Sequence, residues 1–226
     1  MVGPVIEFRH LSKSYWEAAQ EHVILDDVNG VVCAGEFVVL LGKSGCGKST
    51  LLNLISGIDA PNCGDILVRG QSLSGMSENE RTLFRRRHIG FIFQNFNLIP
   101  TLTVRDNLLL PLELTRQLDG DGWAKPAAML GQLGLGRRLD VYPDRLSTGE
   151  QQRIAIARAL IHSPDVILAD EPTGNLDHDT GQEVLNLLER LVRQAGKTMI
   201  MVTHSREVIG LADRLLTIRD CRLEAG

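Results

Sequence analysis

Phe37-Val38-Val39-Leu40-Leu41-Gly42-Lys43-Ser44-Gly45-Cys46-Gly47-Lys48-Ser49-Thr50 decides the reading of this chain. A short apolar, strand-like run enters a glycine-rich loop, and the loop opens a helix-like segment running to about Ile55. Glycine lets backbone N–H groups turn inward around phosphate oxygens, and a helix start adds its own free N–H groups. In a phosphate-binding loop of this kind the Lys48 ammonium reaches the β- and γ-phosphates and the Ser49 hydroxyl ligates Mg2+. Gly42, Ser44, Gly45, Cys46, Gly47, Lys48, Ser49 and Thr50 are the candidate nucleotide-binding residues. A merely structural glycine turn would not need the Lys48-Ser49 pair in this register.

A second segment, Leu146-Ser147-Thr148-Gly149-Glu150-Gln151-Gln152, lies about a hundred residues downstream. Ser147, three residues ahead of Glu150 and just before the apolar-periodic Ile154 to Leu160, forms a capping-box pattern. Alone it describes a well-capped helix. After a P-loop it resembles the Leu-Ser-Gly-Gly-Gln signature of the ATP-binding-cassette (ABC) ATPases, and the resemblance extends over nearly the whole chain. That resemblance implies an α/β P-loop NTPase cassette with a parallel-sheet core, an N-terminal antiparallel β subdomain and an inserted helical subdomain. The expectation is one domain over residues 1–226, with 1–94 and 164–226 as core and 95–163 as the helical, signature-bearing part.

Composition agrees with one such unit. At 226 residues the chain can bury one large core. Its 24 Lys+Arg against 28 Asp+Glu argue against a nucleic-acid binder that works by neutralising the backbone. No apolar run approaches the roughly 20 residues of a membrane-spanning helix, and no signal-peptide pattern opens the chain, so a membrane role is expected to come through a partner. Cys33, Cys46, Cys63 and Cys221 show no metal-ligand spacing, which makes reduced thiols in a cytoplasmic setting the expectation.

Along the chain, strands are expected at Val5–Phe8, Val28–Val32, Phe37–Leu41 and Ile66–Val68, with the P-loop helix ending at Gly57. Residues 98–163 read as helix-rich, with Pro100, Pro111, Pro126 and Pro143 marking starts, kinks or loops. A strand at Val166–Ala169, an amphipathic helix at Asp179–Gln194 closed by Gly196, and a strand at Lys197–Val202 restore β/α alternation, which implies a parallel sheet covered by helices.

Val166-Ile167-Leu168-Ala169 ends in Asp170-Glu171-Pro172. Ligands of open α/β sheets sit at the carboxyl ends of such buried strands. Asp170 suits Mg2+ through its water shell, and Glu171 suits the water that attacks the γ-phosphate. The remaining assignments come from the resemblance. It implies that His204, which closes the apolar strand Met199 to His204, contacts the γ-phosphate and fixes the water. It makes Gln94 the glutamine that touches Mg2+ and the water while linking nucleotide state to a membrane partner. Tyr15 matches the adenine-stacking aromatic, with Trp16 beside it as a substitute. Thr173 to Asp177 match the segment that crosses to the opposing subunit, where Asp177 is its acidic residue and also an N-cap candidate. Ser147 and Gly149 are implied to meet the ATP of a second, head-to-tail copy, so that ATP joins a homodimer.

The chain departs from the signature at Thr148, where the family has glycine, and at Glu150, where it has glutamine. A carboxylate near a γ-phosphate repels it unless Glu150 folds back onto the Ser147 N–H. Cys221 occupies a strand–turn–strand where Asp-Gly would be natural.

Phe91 to Pro100, the Leu-Ser-x-Gly-Glu-Gln-Gln-Arg run and Asp170 to Asp177 together look like the subfamily of macrolide-exporter, lipoprotein-releasing and cell-division ATPases. This implies an ATPase requiring ATP and Mg2+, peripheral on the cytoplasmic face of the inner membrane. Its implied partner is a permease with a large extracytoplasmic domain that docks near Gln94 to Glu113. A soluble ABC ATPase and a catalytically dead regulatory subunit are the competing readings. The repair and translation types carry coiled coils, zinc modules or fused cassettes that this chain lacks, and intact Lys48, Asp170, Glu171 and His204 oppose the dead subunit. A piece of a longer cassette–permease fusion is a further expectation.

Overall fold

The computed structural model describes residues 3–118 and 123–226, and the side chain of Arg206 lies outside that description. In chain order the elements are β1 (Pro4–Glu17), β2 (Gln20–Cys33), β3 (Phe37–Leu41), α1 (Lys48–Ile55), β4 (Cys63–Val68), β5 (Gln71–Ser72), α2 (Glu78–His88) and β6 (Ile89–Ile92). There follow α3 (Val104–Leu114), α4 (Ala124–Gln132), α5 (Thr148–Leu160), β7 (Val166–Asp170), α6 (His178–Gln194), β8 (Thr198–Thr203), β9 (Arg214–Arg219) and β10 (Arg222–Ala225). The chain divides into two compact units, Met1–Arg85 with Gly196–Gly226, and Arg86–Ala195.

In the first unit β1 and β2 form an antiparallel ribbon with Tyr15 opposite His22 and Trp16 opposite Glu21. Its two-residue connection, Ala18-Ala19, has φ of 47° and 65°, the left-handed pair that a primed hairpin turn requires. The strands expected at 5–8 and 28–32 are the buried ends of these longer strands. Beyond them Leu11, Lys13 and Leu25 are also buried, but register shifts in the ribbon break the alternation, the tips at 15–17 and 20–23 are exposed, and hairpin pairing holds them extended. β4 and β5 complete an antiparallel sheet of order β2-β1-β4-β5. In the same unit β3 pairs in parallel with β8 and with β9. β10 returns antiparallel on β9. Asp220 and Cys221 make that last turn at φ of 48° and 62°.

In the second unit β6 and β7 are parallel, with Ile92 opposite Ala169. Helix α6 buries Gly181, Val184, Leu185, Leu188, Leu191 and Val192, the three-and-four spacing of one apolar face. Truncating a fully buried member such as Leu188 would cost about 2–5 kcal/mol. Asp177 caps its start by accepting the Thr180 N–H at 3.0 Å, and Gly196 follows its end at φ 61°. Pro143 opens a 3-10 turn and Pro126 lies in the first turn of α4, as their fixed φ favours, whereas Pro111 sits inside α3. Helix α2 was not expected from apolar periodicity because Phe84 is its only buried residue. Its signal is the box Ser77-x-x-Glu80, in which the Ser77 N–H donates to the Glu80 carboxylate at 2.8 Å. Among the described residues no helix is long and apolar enough to cross a membrane.

Candidate functional site

The loop from Gly42 to Gly47 lies between β3 and α1. Gly45 and Gly47 adopt φ of 79° and 101°, and the turn packs too tightly for side chains. A Cβ on Gly42 would stand 2.7 Å from the Cys46 sulfur, and one on Gly47 would stand 2.8 Å from the Ile24 side chain. Gly42 and Gly47 are therefore required by local packing, and a glycine loop between a strand and a helix start is the kind that receives phosphate oxygens. Lys48 is buried, and its Nζ donates to the carbonyls of Gly42 at 2.8 Å and Lys43 at 2.7 Å. The ammonium thus stands at the mouth of its own loop, and Ser44, Gly45 and Ser49 are exposed.

His204 follows β8, exposed, and lines an open cleft of about 770 Å3 with Leu41, Gly42, Lys43 and the β9–β10 turn. The parallel pairing of β3 with β8 sets Leu41 opposite Thr203, so the P-loop and His204 leave neighbouring strands at the same end. Tyr15 is anchored on β1: its hydroxyl donates to Asp59 at 2.7 Å and the Lys13 ammonium lies 4.7 Å from its ring centroid. Burial and then the Asp59 hydrogen bond push the phenol above its ordinary range. Burial would raise the Asp59 carboxyl too, but hydrogen bonds from Lys13 and Tyr15 outweigh it and hold the group low. Trp16 is 72% exposed.

In the second unit Asp170 ends β7 and Glu171 follows at φ 44°, a left-handed conformation that a side-chain-bearing residue adopts at a cost of about 1–3 kcal/mol. The next turn is closed by the Gly174 N–H on the Glu171 carbonyl at 3.0 Å. Gly174 faces Gln94 so closely that a Cβ would lie 2.7 Å from the Gln94 amide nitrogen. Asn175 donates to the Gln94 carbonyl at 3.0 Å and the Asn95 Oδ1 at 2.8 Å. Gln94 thus meets the turn that follows the two carboxylates. Asp177, exposed, is held low chiefly by the Thr180 backbone N–H.

The signature forms the start of α5. Ser147 is its N-cap, accepting the Glu150 N–H at 3.2 Å, while the Glu150 carboxylate accepts the Ser147 N–H at 2.9 Å. The fold-back expected of Glu150 is present. Its other oxygen receives the Arg138 Nε at 3.0 Å, and the Ser147 N–H, with Arg138 assisting, holds the carboxyl below its ordinary range. Gly149 is buried, and a Cβ there would stand 2.6 Å from the Thr180 methyl. Thr148 is exposed. Leu108 and Leu112, in the segment expected to meet a partner, are buried, as core packing would have them.

Several contributors had no local sequence signal. Arg138 and Asp59 are ordinary charges until the fold pairs them. Arg158 donates to the carbonyls of Asn97 at 2.6 Å and Phe96 at 3.0 Å, two successive left-handed residues just after Gln94. Asn175 was visible only as part of the Asp170 to Asp177 run.

The sequence matches the ABC transporter family over residues 25–174. It is 49% identical over 220 residues to the uncharacterised ABC transporter ATP-binding protein Rv0986 of Mycobacterium tuberculosis, covering 97% of this chain and 89% of that one. It is 45% identical to the ABC transporter ATP-binding protein YbbA of Escherichia coli K12, covering 97% and 96%. It is also 41% identical to the macrolide export ATP-binding/permease protein MacB of Syntrophobacter fumaroxidans, of which the match covers 31%. Among solved structures, the dimeric, post-hydrolysis state of the ATP-binding cassette MJ0796 bound to ADP and Pi superposes with a TM-score of 0.88 at 37% identity, covering 97% of this chain and 96% of that one. With its P-loop cradle, capped signature helix and these matches, the chain belongs to the ABC transporter family of ATP-binding cassettes, in the group that holds YbbA and MacB.

Proposed function

We propose that this chain is the Mg-ATP-hydrolysing subunit of an ABC transporter complex, working as a head-to-tail homodimer that drives a membrane permease. The observation that carries the reading is the loop between β3 and α1, where Gly42 and Gly47 allow a turn that any side chain would clash with, and Lys48 is held on the loop's own carbonyls. Loop N–H groups from Gly42 to Thr50 bind the phosphates, Lys48 leaves its loop carbonyls for the β- and γ-oxygens, and Tyr15 offers a ring face to adenine. Ser49, Asp170 and Gln94 are the hard oxygen donors suited to Mg2+, which when bound neutralises charge on the phosphate oxygens. Glu171 orients and polarises water in line with the γ-phosphorus, assisted by His204 and Gln94. Ser147 and Gly149, at the start of a helix of 13 residues, present the Ser147 hydroxyl and the Gly149 N–H to the γ-phosphate held by the other copy, with Asp177 in the crossing segment.

The MJ0796 cassette is dimeric with ADP and Pi, which supports the dimer here. MacB carries a permease on the same chain as its cassette, which supports a membrane partner. We place that partner's docking segment from Gln94 to Glu113, its large domain outside the membrane, and this chain on the cytoplasmic face of the inner membrane. Residues 95–163 are the signature-bearing subdomain in this reading.

The test is Glu171→Gln. The variant should bind ATP, stall hydrolysis and accumulate as a dimer in light scattering; a monomer saturated with Mg-ATP speaks against the dimer. Affinity purification of that variant with ATP from solubilised native membranes should bring down a polytopic membrane protein, and recovery of soluble proteins alone would promote the soluble ABC ATPase.

A further inference from the structure

We propose that Gln152 is a positioning residue that holds the turn carrying Glu171 from the body of the signature helix. The proposal rests on the reading of Glu171 as the residue that orients the attacking water. Gln152 is the fifth residue of α5 and wholly buried, and its Nε2 donates to the Pro172 carbonyl at 2.6 Å. Pro172 directly follows Glu171, whose backbone is held at φ 44°. The turn has its own closing bonds, Gly174 N–H to the Glu171 carbonyl and Leu176 N–H to the Thr173 carbonyl, at 3.0 and 3.1 Å. The Gln152 bond reaches it from outside, from a helix.

The chemistry of that bond is one-directional. A carbonyl only accepts, so the Gln152 amide must present its NH2 to Pro172, and its Oε1 is then left buried with no partner. A buried acceptor without a partner lowers stability. Packing alone would select an apolar side chain at such depth, as at Ile154, Ala155 and Ile156 in the same helix. The polar residue is kept where its one good bond meets the backbone next to a strained glutamate, and strain of that kind persists only where the surroundings over-determine it. Ser147 caps the same helix, and at 1.5 Å per residue it lies about 7.5 Å from Gln152 along the axis of one rigid rod. The rod that presents the signature therefore also sets the turn that aims Glu171.

The first experiment is steady-state ATP hydrolysis by the full chain carrying Gln152→Met, with thermal unfolding and nucleotide titration alongside. Methionine keeps the volume and removes the orphaned oxygen, which offsets the donor lost to the Pro172 carbonyl, so folding is expected to survive. The expected result is a fall in kcat of about tenfold, with KM for ATP within about twofold and the unfolding midpoint near that of the parent. An unchanged kcat, or a loss that follows a lowered midpoint or weakened ATP binding, overturns the proposal. Gln152→Glu is the second arm. Burial raises that carboxyl, which can donate to Pro172 only when protonated. Its turnover relative to the parent should climb as pH falls from roughly 8.5 to 6, and a flat ratio overturns the proposal. Glu171→Gln separates the two readings. If it still turns over normally, the role of Glu171 fails and this proposal with it; if it stalls while Gln152→Met is unaffected, only this proposal fails.

Discussion

Glu150 and Arg138 form an ion pair of 3.0 Å at the start of the signature helix, on the carboxylate whose second oxygen accepts the Ser147 N–H. The negative charge that this chain places in its signature is thereby matched by a cation twelve residues upstream and turned onto the helix's own free amide. A carboxylate in the first turn also suits the helix dipole.

Removing the cation should expose the charge to the incoming γ-phosphate. Arg138→Ala is expected to weaken ATP-dependent dimerisation about two- to fivefold, in keeping with the roughly 0.5–1 kcal/mol of an exposed pair. Glu150→Gln in the same chain should restore it. Light scattering against ATP concentration for the four members of the cycle checks this, and additive effects would mean the pair does not shield the site.

The same carboxyl makes the helix start acid-sensitive. Because its folded value is depressed, Glu150 contributes stability that is complete above the ordinary glutamate range, near pH 4.3, and is lost as pH falls through the depressed value. The stability difference between the parent and Glu150→Gln should thus be constant from about pH 5 upward and shrink below about pH 4. Urea unfolding at a series of pH values measures it.

Adjacent signature positions should respond oppositely to size. Thr148 is exposed, so Thr148→Gly should keep or raise turnover. Gly149→Ala places a methyl 2.6 Å from the Thr180 side chain, next to the N–H that Asp177 caps. Overpacking there should cost about 1–3 kcal/mol and lower ATPase activity severalfold. Thermal unfolding and steady-state kinetics of the two variants decide the matter.

Tyr15 is expected to act through its ring and not its hydroxyl. Tyr15→Phe breaks the 2.7 Å bond to Asp59 yet keeps the face beside Lys13, so ATP affinity should stay within about threefold. Tyr15→Ala should weaken it by about 1–3 kcal/mol, the range of base–aromatic stacking. Calorimetric titration with ATP separates the two, and an intact affinity in Tyr15→Ala would move the role to Trp16.

Cys221 holds a left-handed backbone at φ 62° in the β9–β10 turn, with its sulfur 3.2 Å from the Val23 carbonyl. Cys221→Gly should relieve the steric cost, about 1 kcal/mol, against a weak S–H donor lost. A raised urea midpoint with unchanged ATPase activity is the expected outcome.

Much of this was legible in the chain. The P-loop announces itself because glycine, lysine and serine sit at spacings that a local strand–loop–helix geometry imposes, with no help from distant residues. The capping box of Ser147 and Glu150 is equally local, and the structure contains it. Asp177 as the cap of α6 and Cys221 in a tight turn follow from the same short-range rules. Less visible were the rest of β1 and β2, where register shifts break the alternation and the tips are exposed, and α2, which buries one side chain.

The sequence by itself determined the nucleotide loop, the signature helix cap and the carboxylate pair ending an apolar strand, because each is written within a dozen residues and governed by backbone sterics and local hydrogen bonds. Only the tertiary structure decided that Arg138 answers Glu150, that Asn175 and Gly174 seat Gln94, that Lys13 and Asp59 set Tyr15, and that Gln152 reaches Pro172. The hydrogen bonds among these contacts join residues between 12 and 81 positions apart, and they exist only once the packed core has brought two segments within about 3 Å, a distance that no local pattern encodes.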